Sequence, residues 1–503
     1  MIRTEEPDID IDFDAARREE VIQHVYERYG RRNAAQVANV ITYRPKSAVR
    51  DAAKALGYAV GQQNAWSKRI EGWSAPSVDG TEGIPDPVLS LADDFMHAPR
   101  HLGIHSGGMV LTKEPVGHVS PIEPARMEAR TVLQWDKDDC EWMGLVKFDL
   151  LGLGMLGAMQ HTMDIAREHL GEEWTVASIP AEEPGVYDML CAADAVGVFQ
   201  VESRAQLATL PRLKPRSFYD LVIEIALIRP GPIQGDAVHP YLRRRSGQEP
   251  ITYPHPLVEP VLRRTLGVPL FQEQLMQIAS AVGGFSAADG DELRRAIGSK
   301  RSRERMAELR DRLFVGMERN GIVGELAESI WRRIEAFAGF GFAESHSLAF
   351  GKLVYASSWL KLHHPAAFLA GLLRAQPMGF WSAQTLSADA RRHGVEVLGP
   401  DLVRSAAVAD LERCGERSGG DDACLAPHQP VVPWQPGPNE HERHRRDRGF
   451  AVRLGLSSVA HVSEADAERI VAAREEAPFT GIDDVARRAR LDRRQLESLA
   501  TAG

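Results

Sequence analysis

Residues 7–13 read Pro-Asp-Ile-Asp-Ile-Asp-Phe, acid and apolar side chains alternating with period two. Side chains on a β-strand alternate faces with the same period. As a strand, this segment sets Asp8, Asp10 and Asp12 on one face and Ile9, Ile11 and Phe13 on the other. The apolar face can be buried. The acidic face cannot, unless something cancels its charge, because carboxylates this close repel. A divalent cation does so, and hard oxygen ligands favour magnesium. A solvated edge strand kept soluble by its acids fits the same pattern.

A second acidic position stands in Gly-Leu-Val-Lys-Phe-Asp-Leu-Leu-Gly-Leu, residues 144–153. Lys147 and Asp149 lie two apart in an expected strand and so face one way. A lysine beside a metal-binding aspartate suits a triphosphate: the metal neutralises phosphate charge and the lysine adds a second positive centre. An ion pair at a strand edge is the plainer alternative.

A chain of 503 residues exceeds one ordinary core, so three or more domains are expected. The formal net charge is −10, so any surface for nucleic acid must be local. Cys140, Cys191, Cys414 and Cys424 form no Cys-x-x-Cys pair. Thiols this sparse point to a reducing compartment, hence a cytoplasmic protein, and not to a disulfide frame or zinc site. No apolar run reaches membrane-spanning length, and the first residues carry no signal-peptide pattern.

Ile22, Val25, Tyr26 and Tyr29 follow helical spacing, with Asp14 a candidate cap and Gly30 a stop. Residues 42–100 mix Arg44, Lys46, Arg50 and Lys54 with a Gly/Ser/Pro-rich stretch near 72–87. Residues 101–113 read as a glycine-rich turn feeding a strand, and Val132 to Leu153 as strands around Asp149. From about 156 to 400 the chain is mainly helical, with one long helix over 344–364 that ends before Pro365. Residues 413–449 read as a linker, and 450–503 as a small helical unit.

Three further segments carry candidate chemistry. Ala-Leu-Ile-Arg-Pro-Gly-Pro, 226–232, is a rigid turn that presents Arg229 to phosphate or simply to solvent. Residues 292–305 hold six basic side chains against two acids, Arg294 and Arg295 among them. That run suits a phosphate backbone, or is a solvated helix face. His346, in Ser345-His346-Ser347, can donate to phosphate from a helix start or serve as a packed polar group. The pairs His101/His105 and His363/His364 lack the spacing and cysteines of a zinc site.

Taken in order, these segments do more than any one alone. The acidic triplet, the Lys147–Asp149 strand, Gly-Val-Phe-Gln-Val-Glu-Ser (197–203), Arg-Pro-Gly-Pro, Phe-Gln-Glu-Gln-Leu-Met (271–276), Leu-Arg-Arg-Ala and Glu-Ser-His-Ser resemble the bacterial C-family DNA polymerases. That family comprises the alpha subunit of DNA polymerase III and its relatives, and the resemblance runs from Pro7 to about Gly503. It implies an α+β, multidomain, mostly helical chain. A partial nucleotidyltransferase-like palm would span 1–41 and 101–155, a helical thumb 42–100, and large helical fingers 156–412. A linker, 413–449, would lead to a helix-hairpin-helix-like DNA-binding unit, 450–503.

By the same resemblance, two magnesium ions sit on the catalytic Asp10, Asp12 and Asp149. Lys147, Arg229, Arg294, Arg295 and His346 line the nucleotide and its phosphates. Arg44, Lys46 and Arg50 face the DNA backbone. The implied activity is template-directed DNA synthesis from deoxynucleoside triphosphates on primer–template DNA. Glu344 stands where replicative members usually carry lysine before the Ser-His pair, and Ala375–Phe380 looks like the error-prone, translesion branch. A sliding clamp and damage-response accessory proteins are the partners that branch suggests; a membrane is not.

The chain also departs from the pattern. Relatives are much longer, with a phosphoesterase-like domain and a first palm half, carrying a Gly-Ser motif, expected before Pro7. An oligonucleotide-binding fold is expected after the last unit. The chain therefore reads as an internal fragment with an open sheet edge. A non-catalytic DNA-binding remnant, a replicative alpha subunit and a metal-dependent nuclease are the competing readings. In the last unit His461 and Ser463 occupy the hairpin turn where glycines are expected, which puts phosphate binding there in doubt. Leu454, Leu456, Ile470, Val471, Phe479 and Leu496 are its expected core.

Overall fold

A computed structural model describes residues 9–70, 82–96, 98–228, 238–298, 303–338, 342–414 and 446–502, in two compact units, 1–156 and 157–503. The first unit is built on strands β1 (Ile9–Asp14), β2 (Ala34–Thr42), β3 (Pro99–Leu111), β4 (Ile122–Pro124), β5 (Thr131–Leu133) and β6 (Lys147–Leu153), in the order β1-β6-β3-β2-β5-β4. β1 runs parallel to β6, and β2 to β5; the other pairs are antiparallel. Among the described residues β1 and β4 lie at the two edges of this sheet.

Helix α1 (Arg18–Tyr29) packs Ile22 and Tyr26 with Ala34, Met109 and Leu150, the face its spacing predicts. Gly30, at φ +78°, ends it. Asp14 does not cap it. The helix starts four residues later with no side-chain cap, and Asp14 Oδ1 instead accepts from Ala16 N at 2.9 Å, a local turn that competes with capping.

Residues 101–113 are also not a turn feeding a strand, because β3 is continuous over thirteen residues. Its glycines serve close approach. A Cβ at Gly103 would lie 3.2 Å from Ile41 Cγ1, and one at Gly107 only 2.5 Å from Leu151 Cδ2. Between β2 and β3, helices α2 (Pro45–Ala55), α3 (Val60–Arg69) and α4 (Asp86–Phe95) bury Ala48, Val49, Ala52, Ala53, Trp66, Val88 and Ala92 in a core of their own. The small alanines of α2 let the neighbouring helices approach closely.

The second unit is mainly helical. The Glu344–His363 helix ends before Pro365 as expected, and carries the fully buried Trp359, whose Nε1 donates to Glu183 Oε2 at 2.9 Å. Strands Val397–Leu398 and Asp410–Arg413 flank Phe450–Arg453 in one small sheet, so the segment after residue 449 pairs with residues on both sides of 400. Residues 415–445 lie outside the described residues. The last unit's core takes Leu456 and Ile470, with Val471, Phe479, Leu496, Leu402 and Ala407 packed against it. Leu454 is half-buried outside that core, its amide bonded to Leu398 O at 3.0 Å, because it follows directly on a strand of the small sheet.

Candidate metal centre

The parallel pairing of β1 with β6 sets Asp10 directly opposite Asp149 and Asp12 opposite Leu151. Two strands distant in sequence thus bring their acidic positions side by side. The approach is close where Phe13 pairs with Gly152, since a Cβ there would lie 3.3 Å from Ala15 Cα and 3.4 Å from Arg18 Cδ. Arg18 secures the crossing. Its Nε donates to Leu150 O at 2.5 Å, and its Nη2 to Ser106 O in β3.

The two oxygens of Asp149 have different surroundings. Oδ2 accepts from Lys147 Nζ at 2.5 Å, both side chains being about one-seventh exposed, at 13% and 14%. Oδ1 is buried and has no hydrogen-bond partner among the described residues. His105 Nδ1 is 3.7 Å from it. That approach is not an ion pair, because the same Nδ1 accepts from Gly108 N at 2.7 Å and Gly107 N at 3.2 Å. A nitrogen that accepts carries no proton, so the ring is the Nε2–H tautomer. Asp12 is exposed next along β1, while the side chain of Asp10 lies outside the described residues. A buried carboxylate oxygen with no donor on it, beside further acidic positions, fits a hard divalent cation.

Arg44, Lys46 and Arg50 are exposed at the start of α2, with Lys46 and Arg50 one turn apart. Arg50 Nη2 also donates to Ser67 Oγ at 3.4 Å. In the second unit, the His346 ring stands 4.0 Å from that of Phe350 and 5.1 Å from that of Phe342, held among aromatic rings. Glu344 beside it is engaged: its Oε1 accepts from Tyr219 O–H at 2.6 Å and lies 3.7 Å from Arg264. Arg264 in turn stacks on the Tyr219 ring at 3.6 Å. Arg229 and the side chains of Arg294 and Arg295 lie outside the described residues.

Two charged features of the second unit escaped the sequence reading. Glu224 is fully buried in the Phe218–Leu227 helix, and neither carboxylate oxygen has a partner among the described residues. Burial pushes its pKa up to about 8. The signal was a single acid in the otherwise apolar run Leu221–Leu227. The other is the group of Asp194, Asp389 and His393, whose ligand atoms lie within 4.8 Å of one another. Lys361 Nζ already occupies it, 2.8 Å from Asp194 Oδ1, 2.9 Å from Asp389 Oδ2 and 3.0 Å from Val196 O. An ammonium ion neutralises these acids, which fits a buried ion-pair network and not a cation site.

The first unit therefore presents an acid-bearing sheet suited to a divalent metal, and the second a helical body rich in arginine. The chain belongs to the bacterial DNA polymerase III alpha family. Residues 1–152 match the bacterial DNA polymerase III alpha NTPase domain, 155–321 the finger domain of the same subunit, and 394–503 a helix-hairpin-helix motif. It is 62% identical over its whole length to an error-prone DNA polymerase of Cutibacterium acnes, covering 46% of that protein. Similar proteins of the same name from Nocardia farcinica (58% identical) and Mycobacterium tuberculosis H37Rv (55%) match 99% of the chain, which covers 41% and 42% of their lengths. The chain thus spans less than half the length of these relatives. Among the described residues, no helix is long and apolar enough to cross a membrane.

Proposed function

We propose that this chain carries the catalytic palm, thumb and fingers of an error-prone, translesion DNA polymerase that acts in repair and replication in the cytoplasm. Its substrates are primer–template DNA and deoxynucleoside triphosphates. The observation that carries the reading is the β1–β6 register, which sets Asp10 opposite Asp149, whose Oδ1 is buried with no donor among the described residues. Asp10, Asp12 and Asp149 would hold two magnesium ions. When bound, these lower the pKa of the primer 3′-hydroxyl and neutralise charge on the triphosphate and the departing pyrophosphate.

The chain's own groups do the rest. Lys147 adds a positive centre beside Asp149 and restrains its carboxylate. Arg18 holds β6 where β1 can reach it. Arg229, Arg294, Arg295 and His346 contact the nucleotide and its phosphates, and the exposed Arg44, Lys46 and Arg50 follow the DNA backbone. Residues 450–503 form the terminal helix-hairpin-helix-like unit, a reading supported by the match of residues 394–503 to a helix-hairpin-helix motif. The names of the relatives support the error-prone assignment, as does Glu344 in place of lysine. A sliding clamp and damage-response proteins are the proposed partners.

Primer extension with magnesium and all four deoxynucleotides, against an Asp149→Asn control, tests the reading. Extension that vanishes in the control supports it. DNA binding without extension in either protein favours a non-catalytic DNA-binding role.

A further inference from the structure

We propose that His105 is a positioning residue for the metal centre: it holds the β3 backbone beside Asp149 and keeps hydrogen-bond donors away from Asp149 Oδ1. The inference rests on the reading of Asp149 as a metal ligand. It starts from the bonds that the Gly107 and Gly108 amides donate to His105 Nδ1, at 3.2 and 2.7 Å. Gly108 is the β3 residue paired with Asp149. By accepting both amides, the imidazole fixes the backbone on the side of Asp149 away from β1.

The same bonds decide what faces the carboxylate. With its Nδ1 lone pair committed to two N–H groups, His105 has no proton to offer Oδ1 across the 3.7 Å between them. A carboxylate oxygen already satisfied by a histidine proton would be a poorer ligand, since metal and proton compete for the same lone pairs. Lys147 takes the other oxygen. One oxygen is thus neutralised and the other left open among the described residues, and His105 accounts for the open one. The glycines at 107 and 108 belong to this arrangement. A Cβ at Gly108 would stand 2.9 Å from His105 Nδ1 and expel the ring, and one at Gly107 would strike Leu151. This explains the sequence His-Ser-Gly-Gly inside a strand, where glycine otherwise weakens pairing.

The test uses the full chain and a metal-binding readout independent of catalysis: titration of Mn2+, with the free ion followed by electron paramagnetic resonance. Asparagine keeps an acceptor oxygen where Nδ1 stands, so His105→Asn is expected to bind Mn2+ within about threefold of the parent. His105→Leu removes the acceptor, and Gly108→Ala displaces the ring. Each is expected to weaken the Asp149-dependent site about tenfold, the low end of what outer residues contribute to a metal site. Thermal melts and far-ultraviolet circular dichroism report folding, so that either variant can serve if the other is unstable.

Parent-like affinity in folded His105→Leu and Gly108→Ala overturns the proposal. Equal weakening in His105→Asn and His105→Leu overturns it too, because the acceptor would then not be what matters. Asp149→Asn separates the two levels. If that variant binds Mn2+ as the parent does, the metal-centre reading fails. If it loses the site while His105→Leu keeps it, only the role of His105 fails.

Discussion

Lys147 Nζ donates to one oxygen of Asp149 at 2.5 Å, and the other is buried with no hydrogen-bond partner among the described residues. If the lysine is part of the triphosphate site, Lys147→Met keeps most of the packed stem and deletes the charge. Single-turnover extension at saturating magnesium is expected to slow about a hundredfold, the scale of removing one preorganised electrostatic donor. An unchanged rate with a drop of about 1 kcal/mol in stability would assign the pair to structure alone.

The exposed Arg44, just before α2, with Lys46 and Arg50 one turn apart on it, predicts a salt effect. Replacing all three by alanine should weaken DNA binding equally across sequences. The slope of log K against log salt should become shallower by about one unit for each phosphate that the side chains no longer neutralise. Fluorescence anisotropy across a salt series measures it, and an unchanged slope would remove the three side chains from the DNA interface.

The acidic edge strand was legible because period-two alternation is a local signal that survives in any fold. The register that sets Asp10 against Asp149 was not, since it depends on which strands meet. The glycines of 103–108 misled for a related reason. Glycine marks a turn when read locally, whereas here Gly103 and Gly107 make room for Ile41 and Leu151 on neighbouring strands. His105 looked like half of a weak zinc pair, and its bonds to Gly107 and Gly108 gave it a different role. The Lys361 network escaped because its members, at 194, 361, 389 and 393, share no sequence pattern. Glu344 was legible as an oddity, but its engagement by Tyr219 and Arg264 needed the structure.

Glu224 predicts a stability that falls with rising pH. Its folded pKa is raised by burial from 4.5 to about 8, so the folded chain binds the proton more tightly than the unfolded one. That contribution is fully present below about pH 4.5 and is lost as pH rises to about 8. Glu224→Leu removes the group. Near pH 7 it should stabilise the chain by roughly 1–3 kcal/mol, and less at pH 5. Urea midpoints at the two pH values measure this. Equal effects at both would mean that Glu224 does not titrate in this range.

The network around Lys361 gives the opposite sign for one partner and the same sign for another. Burial works against the charge of Asp194, but the His393 hydrogen bond and the Lys361 charge outweigh it and hold Asp194 well below its ordinary value of 3.8. Its contribution is present above about pH 4 and is lost as pH falls further. Burial also opposes protonation of His393, yet Asp194 raises it above its ordinary 6.5. That contribution is full below about pH 6.5 and is lost as pH climbs through the raised value. The two windows overlap between about pH 4 and 6.5. His393→Gln should therefore destabilise most within that overlap and little at pH 9. Lys361→Met, which removes a nearly buried ammonium and leaves Asp194 to His393 and Asp389 to Arg392, should cost roughly 3 kcal/mol at pH 7, the low end for breaking a buried pair. Urea unfolding of both variants from pH 4 to 9 decides the matter. A cost for His393→Gln that does not vary with pH would show that its ring acts by packing and not by charge.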